Sequence, residues 1–239
     1  MSAGVASVIL LAYFTFGVSG FGSSLIAVPL LSHFLPLRSA IMLALVLDLV
    51  SAVALSWKAR SCVRWDELKP MIPSSLFGLL VGAAMLSRVP SEPLLVALGF
   101  FTTLVGIRYL LLNTHGGIAS SRWSPLAGLS GGIASALFGT GGPAYMSYLA
   151  HRLGGRSELR ATFSGLLMLD GALRVLIFIV SGLFFSSLDL TTLTIALPTM
   201  VLGLYLGNLA HTALSDHQAK GLTAVLLLAS GISLLLRSL

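Results

Sequence analysis

GLSGGIASALFGTGGPAYMSYL, residues 128–149, is apolar enough to enter a membrane and too rich in glycine to cross it as one helix. The run Gly139-Thr140-Gly141-Gly142-Pro143 cannot continue a helix comfortably, because glycine costs backbone entropy and proline clashes with the preceding turn. A second stretch of this kind, GVSGFGSSLIAVPLL, occupies residues 17–31 and is interrupted at Gly20-Phe21-Gly22. Each side of either break offers roughly 10 to 15 helical residues, about half a bilayer at about 1.5 Å rise per residue.

The rest of the chain agrees with a membrane setting. Of 239 residues 56% are hydrophobic and 9% charged, and the mean hydropathy is +0.98. Soluble domains carry about 25% charged residues, so 14 basic and 8 acidic side chains cannot cover a water-facing surface. This excludes a soluble globular protein and a disordered chain. It also excludes a nucleic-acid partner, despite the net charge of +6, because the charges are too scattered to track phosphates. Cys62 is the only cysteine, which excludes a disulfide framework and a multi-thiolate metal site. No Lys or Arg precedes the first apolar stretch, so residues 3–16 read as mature membrane domain rather than as a signal peptide. Six runs reach the roughly 20 apolar residues of a span, at 39–58, 70–87, 93–112, 160–183, 190–210 and 218–236.

The chain is internally duplicated. LRSAIMLALVLDL (37–49) aligns with LRATFSGLLMLDG (159–171) at an offset of 122, which sets Arg38 on Arg160 and Asp48 on Asp170. Downstream the offset is 125, with Pro73, Gly78, Gly82 and Gly106 on Pro198, Gly203, Gly207 and Gly231. Upstream it is 119, with Gly20 and Gly22 on Gly139 and Gly141. The expected organisation is a first repeat over 1–115 and a second over 116–239, intertwined in one membrane domain.

Basic residues decide how the broken regions sit. If each crosses the membrane, Lys and Arg near the span ends divide seven to six, with no bias. If each enters and returns as a hairpin, ten share one side, opposed only by Arg38, Arg88 and Arg237. The positive-inside rule favours the hairpins. The expected fold is therefore an all-α polytopic membrane protein of two inverted repeats, each a re-entrant pair of half-helices plus three full spans. Inverted repeats with discontinuous helices are a transporter architecture with the site near the midplane.

A half-helix starting at such a break points N–H groups and its positive dipole end into a cavity, which suits an anion. The expected contacts are Gly20, Phe21, Gly22, Ser23 and Ser24 from the first repeat, with Gly139, Thr140, Gly141 and Gly142 from the second. Ser23→Leu or Gly141→Leu is expected to abolish transport in a protein that still inserts and purifies normally. Asp48, Asp170 and Arg174 lie near the centres of spans, where charge is costly and functional by default. Arg174 either neutralises Asp170 one turn away or faces the cavity and attracts the anion. Asp48 and Asp170 either position the tips or carry a coupling proton. The GxxxG pairs read as close helix packing, Pro73 and Pro198 as kinks, and Trp57, Trp65 and Trp123 as interfacial anchors.

A rival reading comes from Gly128-x-Ser130-Gly131 and His151, which resemble the serine and histidine motifs of rhomboid intramembrane proteases. Ser130 and His151 stand only 21 residues apart, too close for the full span that should separate them, and GxSG also occurs at 17–20. A non-transporting receptor or assembly protein is the other alternative.

GFGSSLIAVPLL, GLSGGIASALFGTGGP and the duplicated unit resemble the sulfite exporter TauE/SafE family of permeases over essentially the whole chain. Ser23 and Ser24 stand in part of that family's glycine run, and Ser147-Tyr148 where a second Val-Pro is usual. The resemblance implies a non-enzymatic transporter of sulfur-containing anions or other organic acids in a bacterial inner membrane. The implied partners are a small anion, the lipid bilayer and a coupling proton or cation, with homo-oligomerisation left open. No cofactor, metal or catalytic residue is expected.

Overall fold

The computed structural model describes residues 2–19, 22–56, 63–111, 120–153, 155–184, 190–211 and 216–238. Among them the regular elements are all helical. They are α1 (Ser2–Ser19), α2 (Ser23–Leu31), α3 (Leu37–Ser56), α4 (Trp65–Leu68), α5 (Met71–Arg88) and α6 (Ser91–Leu111). After a 3-10 turn, Ser121–Trp123, come α7 (Ser124–Phe138), α8 (Gly142–Arg152), α9 (Arg156–Val180), α10 (Leu190–His211) and α11 (Asp216–Ser238). Five stretches are long and apolar enough to cross a membrane: Met71–Arg88, Ser91–Leu111, Ala161–Val180, Thr191–Ala210 and Gln218–Ser238. The remaining expected span forms α3 as far as Ser56; residues 57 and 58 lie outside the described residues.

Both glycine clusters break the helix where the sequence places the breaks. Gly22, at the start of α2, has φ +90°, and Gly139, at the end of α7, has φ +80°. Glycine is the residue that takes this left-handed geometry without strain, and it ends helices for that reason. In each case the chain turns back on itself. Gly141 and Tyr145 lie against Gly131, well back along α7, and Phe34, beyond α2, lies against Gly4 near the start of α1. The arms are unequal, which corrects the expected half-helix pairs. The entering arms have 18 and 15 residues, the returning arms 9 and 11. Gly17, Gly128, Gly131 and Gly132 sit inside the entering arms without breaking them, because a single helical glycine costs only about 1 kcal/mol.

The helices form two compact units, each drawing on both halves of the sequence. One comprises Met1–Leu47, Val89–Asn113 and Ser187–Leu239; the other comprises Asp48–Arg88 and Thr114–Ser186. In the first unit α1 packs on α10, α6 on α11, and α2 on α1, α6 and α11. In the second α5 packs on α7, and α8 on α7 and α9.

Small residues make the seams, as the GxxxG pairs indicate. A Cβ on Gly78 of α5 would meet the Leu129 carbonyl at 2.4 Å and the Ile133 amide at 3.0 Å. A Cβ on Gly203 of α10 would meet the Leu10 carbonyl at 2.7 Å and the Phe14 amide at 3.2 Å. These contacts are related by the repeat offsets of 125 and 119, so one seam is built twice. Pro198 lies inside α10, but Pro73 falls in the first turn of α5. The expected kink at Pro73 is therefore absent, since a first-turn residue has no carbonyl one turn back to clash with. Trp65 and Trp123 are exposed, Trp65 shortly before the span Met71–Arg88 and Trp123 immediately before α7; Trp57 lies outside the described residues.

Candidate functional site

In the second unit four helices bring polar side chains to one buried point. Asp170 of α9 is 3% exposed. Its Oδ1 accepts a hydrogen bond from the Tyr145 hydroxyl of α8 at 2.6 Å, and its Oδ2 accepts one from the Ser135 hydroxyl of α7. Tyr145 is bonded in turn to Ser75 of α5 at 2.7 Å. The Tyr145 ring lies so close to Gly131 and Gly141 that neither could carry a side chain. The two arms of the hairpin are thus clamped on a ring whose hydroxyl is fixed by an acid.

Arg174 lies one turn along α9 and is 4% exposed. Its Nη1 donates to the Ser135 carbonyl at 2.6 Å, and its Nε has no hydrogen-bond partner. Among the described residues the ion pairs within 4.0 Å are Arg64–Glu158 and Arg152–Glu67. Arg174 therefore does not close the intrahelical pair with Asp170 that the sequence allowed. A buried guanidinium with an unused N–H and no contacting carboxylate keeps a donor for an incoming anion.

The other sequence-derived candidates fall as follows. Gly141 is a packing position: a Cβ there would lie 2.5 Å from the Gly131 carbonyl. Gly141→Leu would break the hairpin, which corrects the expectation that this variant purifies normally. Gly142 has room, with Thr140 Oγ1 at 3.4 Å and Phe163 at 3.5 Å from its would-be Cβ. Thr140 Oγ1 also accepts a long hydrogen bond from the Gly142 amide, at 3.4 Å. Pro143 has no N–H, and the Ala144 amide bonds to the Gly141 carbonyl at 3.1 Å. The charge at this tip therefore comes mainly from Arg174.

In the first unit Ser23 and Ser24 are 4% and 2% exposed, and the space around Gly22 is open. Gly20 and Phe21 lie outside the described residues. Asp48, on α3 but in the second unit, is half-buried next to Leu49, which packs on Gly171.

Sequence reasoning missed Ser75, Ser135 and Tyr145, and it missed a second cluster at the end of α8. Glu67 of α4 accepts from Arg152 Nε at 3.0 and 3.1 Å and from the Tyr148 hydroxyl at 2.9 Å. The Arg152 hydrogen bond holds the Glu67 carboxyl below its ordinary range; burial opposes this, and Tyr148 reinforces it. The stability this pair supplies is thus present at neutral pH and is lost as pH falls through the lowered Glu67 value. The pair fastens the returning arm to α4.

The protease constellation does not assemble. The Ser130 hydroxyl bonds to the Leu126 carbonyl at 2.7 Å, and His151 Nδ1 to the Ser147 carbonyl at 2.6 Å. Each is engaged with its own helix rather than with the other.

Comparison with known proteins places the chain in a family. The model of the family described as Sulfite exporter TauE/SafE matches residues 5–234. A relative from Comamonas testosteroni, described as "Probable inner membrane transporter protein TsaS", is 29% identical over 174 residues, covering 72% of each chain. No solved structure matches the chain.

Proposed function

The chain belongs to the TauE/SafE family of sulfite exporters, and from that premise we propose that it is an inner-membrane permease for a small sulfur-containing anion, a sulfur oxyanion or an organosulfonate. The observation that carries the reading is Arg174, buried in a spanning helix with an unpartnered Nε beside a broken hairpin. A sulfonate or sulfite oxygen accepts from a guanidinium strongly at such a place, because charge-assisted hydrogen bonds gain in a low dielectric. The proposed contacts are Arg174 with Thr140, Gly141 and Gly142 at the second tip. Gly22, Ser23 and Ser24, with Gly20 and Phe21 ahead of them, are the candidates within the other unit.

The test is thermal melting of the detergent-purified protein with sulfite, sulfate, thiosulfate, sulfoacetate and isethionate. At a hundredfold excess over the dissociation constant a ligand stabilises by about 2.7 kcal/mol, so at least one anion should raise the melting point by several degrees. A flat response to the whole panel would remove the anion reading.

The inverted arrangement of the repeats has its own test. Cys62 and a cysteine placed at Gly154 should react with an impermeant maleimide from one membrane face, and a cysteine at Ser187 from the other. These three positions lie outside the described residues. Labelling of 62 and 154 from opposite faces would make the repeats parallel.

A further inference from the structure

The duplicated seams offer an internal control for the polar cluster. At the repeat offsets, Ser75 corresponds to Met200, Ser135 to Phe16, Tyr145 to Ile26 and Arg174 to Ala52. Met200 and Ile26 are buried. At the first three of these places the first unit's helix-break-helix hairpin carries apolar side chains, so such a hairpin does not require the polar ones; Ala52, like Asp48, the counterpart of Asp170, lies in the second unit. Buried polar networks are costly unless every group is satisfied, and apolar replacements are often neutral or stabilising. The cluster of the second unit is therefore retained for something other than folding.

Its wiring shows what it suits. Tyr145 spends its one hydroxyl proton on Asp170 Oδ1, so Ser75 must donate to Tyr145. Ser135 spends its proton on Oδ2 and offers its carbonyl to Arg174. One residue thus touches both the acid and the cation. The groups acting on Asp170 are Arg174 on its own helix, Ser135 from α7, Tyr145 from α8 and Ser75 from α5. Glu67, on α4, is engaged by Arg152 and Tyr148. With Asp170 ionised, the buried Asp170 and Arg174 sum to zero. A monovalent anion at Arg174 would then leave a net buried negative charge, which a low-dielectric interior opposes.

We propose, resting on the anion reading above, that Asp170 takes up one proton with each monovalent anion that binds at Arg174, so that coupling is carried by the second unit's cluster. An O–H bond forms on Asp170 with a proton supplied by water, and no protein bond breaks. The Ser135 hydroxyl turns from donating to accepting, and the site holding anion, Arg174 and neutral Asp170 again sums to zero.

The test uses full-length protein in detergent with isethionate, whose sulfonate stays ionised throughout, so that only the protein titrates. Wild type should take up about one proton per anion bound, read with a pH-indicator dye in weak buffer. Its affinity should fall about tenfold per pH unit on the alkaline side of Asp170. Asp170→Asn should bind without proton uptake and with affinity that is flat in pH. Tyr145→Phe removes a donor to the ionised acid and should move the break in affinity to higher pH. This second variant decides the matter if Asp170→Asn does not purify. Isethionate binding without proton uptake in wild type would overturn the proposal, as would an unchanged uptake in Asp170→Asn or an unmoved break in Tyr145→Phe. A wild type that binds no anion at any pH would instead overturn the anion reading, and this inference with it.

Discussion

Arg174→Ala is expected to weaken anion binding by about a hundredfold and to stop transport in proteoliposomes, while the protein still purifies as a single folded species. A hydrogen bond to a charged group contributes about 1.5–3 kcal/mol, and a guanidinium offers an anion two in parallel. Losing about 3 kcal/mol corresponds to about two decades in affinity. The fold should survive for a local reason. The Ser135 carbonyl, which Arg174 holds at 2.6 Å, also accepts from the Gly139 amide at 3.0 Å. Removing the guanidinium thus leaves no orphaned acceptor. Arg174→Lys should recover only part of the affinity, because an ammonium keeps the charge and loses the fork. Wild-type uptake by Arg174→Ala would move the substrate elsewhere in the molecule.

The largest effect on stability is expected at the duplicated seams. Gly78→Leu puts a side chain where a Cβ alone would lie 2.4 Å from the Leu129 carbonyl; at Gly203 the same distance to the Leu10 carbonyl is 2.7 Å. Both obstacles are backbone, so no rotamer change relieves them and the paired helices must separate. Overpacking costs about 1–3 kcal/mol where side chains can yield, and these sites belong at or beyond the top of that range. Spanning helices are held by close packing rather than by escape from water, so nothing offsets the loss. Each variant should melt at least about 6–12 °C below wild type, taking about 3 kcal/mol at 2–4 °C per kcal/mol. Gly221→Ala is the control. Its surroundings are open and it lies within α11, so it should gain about 0.5–1 kcal/mol. Melting of Gly78→Leu and Gly203→Leu at the wild-type temperature would mean that the seams are not made by these glycines.

How much of this was legible in the sequence depended on whether the signal was local. Both breaks were readable, because Gly20-x-Gly22 and Gly139-x-Gly141 interrupt apolar runs that otherwise propagate. The seams were readable because two glycines four apart share one helix face. Arm lengths were less so. The sequence shows where a helix must stop, at Gly20, but not that Gly17 can be carried inside it. The polar cluster was not readable as a cluster, since Ser75 and Tyr145 meet across 70 residues and a lone hydroxyl in an apolar run is commonplace. One signal could have found it: where the repeats diverge from apolar to polar, as at Met200 against Ser75 and Ile26 against Tyr145, folding alone does not explain the choice. Pro73 misled because its place relative to the helix start lies within the uncertainty of boundary reading.

The pairing of α1 with α10 and of α5 with α7 has a bearing on how the protein is made. Every helix of the unit closed by Ser186 has been synthesised before α10 begins at Leu190. The small-residue face of α1, with Gly17 against Gly207, meanwhile waits beside the translocon for a partner almost a whole chain length behind it. Synthesis therefore finishes one unit early and holds the other open until its last two helices arrive.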